Sequence, residues 1–138
     1  MLLSTLDRQI KLISKGYSGR QQDFAILKDM LAGICLKNYT LHVDLGFQGI
    51  KNLGISERIF IPFKASKNNP INAWQRAINR LLARERVAVE NALAKMKSFF
   101  ILRQENRMRK KVKLEEVFQL CAGLANFKSL NNALIIKQ

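Results

Sequence analysis

The apolar positions of the chain follow two rhythms. Near the N-terminus the pattern predicts two short strands, Leu2–Leu6 and Gln9–Ser14, joined by a tight turn at Asp7-Arg8. Lys15-Gly16-Tyr17-Ser18-Gly19-Arg20 is turn chemistry. Asp23 then precedes apolar residues at 24, 27, 30 and 31, the spacing of a helix with an Asp N-cap that ends near Gly33. Thr40–Asp44 reads as a buried strand running into a glycine-rich turn, Leu45-Gly46-Phe47-Gln48-Gly49. Ile59–Lys64 alternates and is expected at a sheet edge, because Pro62 cannot donate to a ladder. After the polar loop Ala65–Pro70, helical spacing takes over. It predicts a long helix from about Asn72 to Arg103 and a last one from Lys113 to about Phe127. Strands and helices in this order imply an α/β fold around one layered core, with no internal repeat and no low-complexity tract.

Length and composition sharpen that picture. The chain has 138 residues, of which 48% are hydrophobic, enough for one domain with a real core. No apolar run is long enough to span a bilayer, and MLLSTLDRQIK meets charges too early for a signal peptide, so secreted and membrane classes are excluded. Cys35 and Cys121 lie in apolar surroundings without a CxxC pattern or a neighbouring His, as expected of structural thiols in a reducing cytoplasm.

Charge changes the picture more. Lys and Arg number 24 against 10 Asp and Glu, a formal net charge of +14. On a folded domain this points to a polyanionic partner, nucleic acid first, since phosphates release counterions to Lys and Arg. A basic, solvated surface is the plainer alternative. The surplus is concentrated between Arg103 and Lys113, where Arg103, Arg107, Arg109, Lys110, Lys111 and Lys113 stand against Glu105 alone. A weaker basic stretch runs from Lys15 to Arg20. Such stretches hold phosphates; they do not choose bases.

Candidate chemistry is sparse. The lone His42 sits inside an apolar strand and fits a core or edge histidine better than a metal ligand. No Walker-type phosphate loop and no GxSxG elbow is present. Asp44 ends a strand, the place from which α/β folds present functional groups. On the long helix, Glu90 lies about 40° round from Arg86, and Lys97 about 20°, so the three share one polar stripe. Taken alone, the stripe reads as a solvated helix face with an i,i+4 ion pair, and Asp44 as a turn-former before Gly46.

Together, however, these residues resemble a family. Asp44-Leu45-Gly46-Phe47-Gln48-Gly49 resembles the D-x-G-Y-x-G signature of DDE transposases of the bacterial insertion-sequence, Harbinger-like branch. Arg86-x3-Glu90-x6-Lys97 is similar to that family's R-x3-E-x6-K signature. Ser18–Phe24 looks like its G-x-x-H-D segment, and Phe118–Phe127 like its closing helix. The matches come in the family's order and cover nearly all of the chain. Phe47 stands for the usual Tyr, Gln22 for the usual His, and Ala83 where some relatives carry a Tyr.

The resemblance implies an RNase H-like fold in which three acids hold two divalent metals, Mg²⁺ or Mn²⁺, for phosphodiester cleavage and strand transfer on transposon DNA ends. It assigns Asp44 as the second acid and Glu90 as the third, both metal ligands and catalytic. Arg86 and Lys97 would face DNA or orient Glu90, while Arg103, Arg107, Arg109, Lys110 and Lys111 would hold DNA phosphates. Asp23 is read as the helix cap. The family's first catalytic Asp belongs to an upstream D-x-T-type strand, and nothing before Gly16 resembles it. The expectation is therefore an incomplete RNase H-like catalytic domain over residues 1–138, lacking its first central strand and the DNA-end-recognition region. Such a chain is a truncated transposase or the downstream half of a split or frameshifted one, inactive alone. Its partners would be transposon and target DNA, with the N-terminal half or further copies of itself, in the bacterial cytoplasm or nucleoid. The competing readings are a non-catalytic basic remnant that coats nucleic acid and a small structural RNA-binding module.

Overall fold

The fold was described from a computed structural model covering residues 1–17, 19–67, 69–105 and 110–135, of which 131–135 are described as backbone only. The architecture is mixed α/β. It divides into two compact units, Met1–Ser18 with Val87–Gln138, and Gly19–Arg86, each with buried apolar side chains of its own.

In the first unit, β1 (Leu2–Ser4) pairs antiparallel with β2 (Ile10–Ile13) in the register Leu2↔Ile13 and Leu3↔Leu12. Both strands are shorter than the sequence pattern suggests, because a bulge between Leu3 and Ser4 interrupts the ladder. Arg8 takes the left-handed φ of 66° that the tight turn needs. Helix α3 (Lys111–Ile135) lies against β2. It begins two residues before the expected Lys113 and extends past Phe127. Cys121, Ala122 and Ala125, small side chains one to four residues apart, share a core with Ile10, Ala92 and Met96. Asn126 completes the contact: its side-chain oxygen accepts the Ile10 N–H at 2.8 Å and its amide nitrogen donates to the Ile10 carbonyl at 2.8 Å.

The second unit holds helix α1 (Asp23–Met30), strand β3 (Thr40–His42) and strand β4 (Arg58–Phe60). Asp23 is the first helical residue and not the cap; that position falls to Gln22, whose side chain makes no capping bond. The Asp23 carboxylate still sits in the first turn, where the helix dipole favours negative charge. The two strands run parallel, Thr40↔Arg58 to His42↔Phe60, so a crossover must join them. Here the crossover is a 3-10 helix, Leu45–Leu53, kinked at Phe47 (φ −109°, ψ 27°) and closed by Gly54 in the left-handed region. The glycine-rich turn expected from the sequence is thus the first half of a helical segment. Its Ile50 is wholly buried, along with Leu27, Leu31 and Leu41. Burial of one such side chain stabilises by roughly 1.5–3 kcal/mol. The buried Ser56 ties the strand starts together, donating to the Tyr39 carbonyl and accepting the Arg58 N–H. β4 stops at Phe60, before Pro62, and does not reach Lys64.

Helix α2 (Ala73–Lys97) contributes its first part to the second unit and its last part to the first. A reciprocal cap starts it: the Asn72 side chain accepts the Gln75 N–H, and the Gln75 side chain accepts the Asn72 N–H. It ends at Lys97, short of Arg103. There the N–H groups of Ser98 and Phe99 turn to carbonyls three residues back, and Phe100–Leu102 continues as a 3-10 turn. Cys121 is buried as expected, but Cys35 is exposed, contrary to the apolar setting its neighbours suggested. No helix among the described residues is long and apolar enough to cross a membrane.

Candidate active site

Asp44 follows β3 and caps the 3-10 helix. Its Oδ1 accepts the Leu45 N–H at 2.8 Å, and its backbone carbonyl accepts the Phe47 N–H. The cap fixes the carboxylate at the C-terminal end of a strand, half-exposed. Arg86, on the facing part of α2, points its Nη1 at the other oxygen, Oδ2, at 3.2 Å. Thus one residue of the D-x-G-F-x-G stretch meets one residue of the R-x3-E-x6-K stretch, 42 positions apart.

A second polar link runs beside the first. His42, two residues before Asp44 and on the same side of the strand, places Nδ1 at 2.6 Å from Oε2 of Glu85, the residue before Arg86. The contact is a close approach and not a hydrogen bond, since Glu85 Oε2 has no hydrogen-bond partner among the described residues. The ring also stacks on Phe60 of β4, centroids 5.3 Å apart. His42 is therefore an edge histidine with a carboxylate partner. Sequence reasoning missed Glu85; the period-two alternation that puts His42 and Asp44 on one side was the signal available for it.

The glycines of the Asp44–Gly49 stretch differ in role. A Cβ on Gly49 would stand 2.8 Å from Cζ of Phe24, so the glycine lets α1 close against the crossover. Gly46 faces no atom within 4 Å and has no left-handed φ, so packing makes no demand for glycine there.

The other expected residues lie as follows. Glu90 is exposed on α2, four residues beyond Arg86, in the part of the helix that belongs to the first unit. Lys97 is the exposed last residue of α2. Arg103 lies over the exposed Phe100 ring, 5.8 Å from its centroid. Lys110 and Lys111 are exposed at the start of α3. Arg107 and Arg109 fall outside the described residues. The two basic stretches of the sequence meet at one point: Cε of Lys111 lies 3.3 Å from where a Gly16 Cβ would be, and Glu115 accepts the Gly16 N–H. The missing Cβ of Gly16 makes room for the lysine stem beside Lys15.

Comparison with known proteins decides the family: residues 1–126 match the DDE superfamily endonuclease family. The chain belongs to that family. No curated protein and no solved structure matches it. Asp44 and Glu90 are the acids that the sequence resemblance assigns as metal ligands. Their fit is poor as they stand. Both Asp44 oxygens already face donors, and among the described residues no group of three His, Cys, Asp or Glu is gathered to hold a metal ion. Hard divalent cations take six or more oxygen ligands, of which proteins supply several as carboxylates. The described residues do not provide that set.

Proposed function

We propose that this chain is the C-terminal part of a DDE transposase catalytic domain of RNase H-like fold, from the bacterial insertion-sequence, Harbinger-like branch. It acts on DNA in concert with a further polypeptide segment. The observation that carries this reading is the meeting of Asp44 and Arg86 at 3.2 Å. Each belongs to a separate motif stretch, and the strand end that presents Asp44 is where α/β folds build sites. In this reading Asp44 and Glu90 are two of the three catalytic acids, and the third comes from a D-x-T segment outside these residues. Mg²⁺ or Mn²⁺ would be the metal, in keeping with hard carboxylate oxygens. Arg86 neutralises Asp44 until the remaining ligands arrive. Lys97, Arg103, Arg107, Arg109, Lys110 and Lys111 hold DNA phosphates, a role that suits the net charge of +14.

The test begins with the DNA upstream of the Met1 codon. A D-x-T segment encoded there in any frame, preceded by a helical DNA-binding region, gives the second polypeptide to co-express. The expected result is Mg²⁺-dependent nicking of plasmid DNA by the two together and by neither alone, lost in Asp44→Asn and in Glu90→Gln. Nicking by this chain alone that survives Asp44→Asn would overturn the assignment. Salt-sensitive DNA binding indifferent to both substitutions and to metal, with no upstream segment, would leave a basic remnant that coats nucleic acid.

A further inference from the structure

The solvent side of α2 carries a row of residues that the family motifs do not use. Arg76, Arg80 and Arg84 follow at intervals of four, and all three are exposed. At about 100° per residue they drift over only about 80° of the helix, and they span about 12 Å of its length. Ala73, Ala77 and Ala83 lie on the same side and are exposed as well.

Like charges four apart on one helix face repel and weaken the helix. Nothing on this face offsets them. Glu85 is the sole acid of the helix between Ala73 and Arg86, and it faces His42. Asp44 is taken by Arg86, which points to a different side of the helix. Among the described residues Arg76, Arg80 and Arg84 form no ion pair. An ordinary solvated face interleaves acids with its bases; this one does not.

Trp74, 65% exposed and the only tryptophan of the chain, lies on another side of α2, about 160° round from Arg76. It is braced, not loose: its ring tilts against Phe63 with centroids 5.8 Å apart. Phe63 in turn is pinned to α2 by Asn79, which accepts the Phe63 N–H at 2.8 Å and donates to its carbonyl at 3.0 Å.

We infer that Arg76, Arg80 and Arg84 form a phosphate-binding row for duplex DNA. The charge complementarity is direct, and a helix about 10–12 Å across matches a major groove about 12 Å wide. The inference rests on the reading of this chain as a DNA-acting protein and adds to it three residues that belong neither to the Asp44–Arg86 pair nor to the basic stretch at Arg103–Lys111.

The full chain is titrated with a duplex oligonucleotide over a range of salt, following the anisotropy of the labelled duplex. Removing three phosphate-neutralising charges should reduce the slope of log K against log salt by roughly 2 to 3. We expect that reduction in the triple variant R76Q/R80Q/R84Q and a nearly unchanged slope in R76K/R80K/R84K, which keeps the three charges. Circular dichroism verifies that both variants keep their helices. Duplex binding by the wild type with an unchanged slope in R76Q/R80Q/R84Q would overturn the row and leave the family reading standing. The same holds if a structured RNA binds more tightly through these arginines than duplex DNA does. No duplex binding by the wild-type chain at low salt would defeat both.

Discussion

Oδ2 of Asp44 and Nη1 of Arg86 stand 3.2 Å apart, joining the end of a strand to the middle of the longest helix of its unit. Both side chains are about half exposed, 48% and 59%, so water screens the pair and its contribution to stability is small. Arg86→Gln and Asp44→Asn should each change the unfolding free energy by less than about 1 kcal/mol in urea titrations. Asn retains the capping bond to Leu45. Loss of reconstituted nicking in a variant of unchanged stability would then report chemistry, not folding. A loss of stability well above that bound would show that the pair is structural.

The two glycines beside Asp44 should separate cleanly. Gly49→Ala places a methyl 2.8 Å from the Phe24 ring, which must move out of its contact with the crossover. Overpacking of this kind costs about 1–3 kcal/mol, and the expected value is at the lower end because a ring tip can swing. Gly46→Ala meets nothing and should leave the urea midpoint within experimental error.

Asn126 serves both backbone groups of Ile10 from the side of α3. Asn126→Leu keeps the bulk but strands a donor and an acceptor at a buried residue, for a loss of about 1–3 kcal/mol. Asn126→Asp should be little better at neutral pH, since a carboxylate accepts the N–H but repels the carbonyl. Thermal unfolding of the two variants checks the order.

The cysteines predict a pH dependence. Burial pushes the Cys121 thiol above its ordinary value of 9.0, so the folded chain keeps this proton to higher pH than the unfolded chain does. Its contribution to stability is whole below the unfolded value and is lost as pH rises above it through the folded one. Stability should fall on the alkaline side of about pH 9, and Cys121→Ala should flatten that fall. Dithionitrobenzoate at pH 8 should label the exposed Cys35 at once and Cys121 only on unfolding.

Much of this was legible in the sequence because it rests on local rules. Alternation and a turn at Asp7-Arg8 announced the hairpin; helical spacing announced α1, α2 and α3; Asp44 falls at a strand end as its neighbours implied. What stayed hidden depends on partners distant in sequence. Periodicity carried α2 through Phe100, Ile101 and Leu102, because a 3-10 turn continues the apolar rhythm that an α-helix began. Nothing near Glu85 marks it as the partner of His42, 43 positions earlier, and Cys35 reads as buried until α1 and the crossover leave it outside. The division into two compact units was equally out of reach, since α2 crosses it without a break in its pattern.

Asn79 and Asn126 use the same device, a side-chain amide that takes both the N–H and the carbonyl of one extended residue. To Phe63 and to Ile10 such an amide is what the peptide group of a neighbouring strand would be. A strand of another chain that approached either residue would find its two hydrogen-bonding groups spoken for. Short, incompletely covered β-strands are natural nuclei for edge-to-edge association, and at Ile10, the first residue of β2, Asn126 acts as a plug against it.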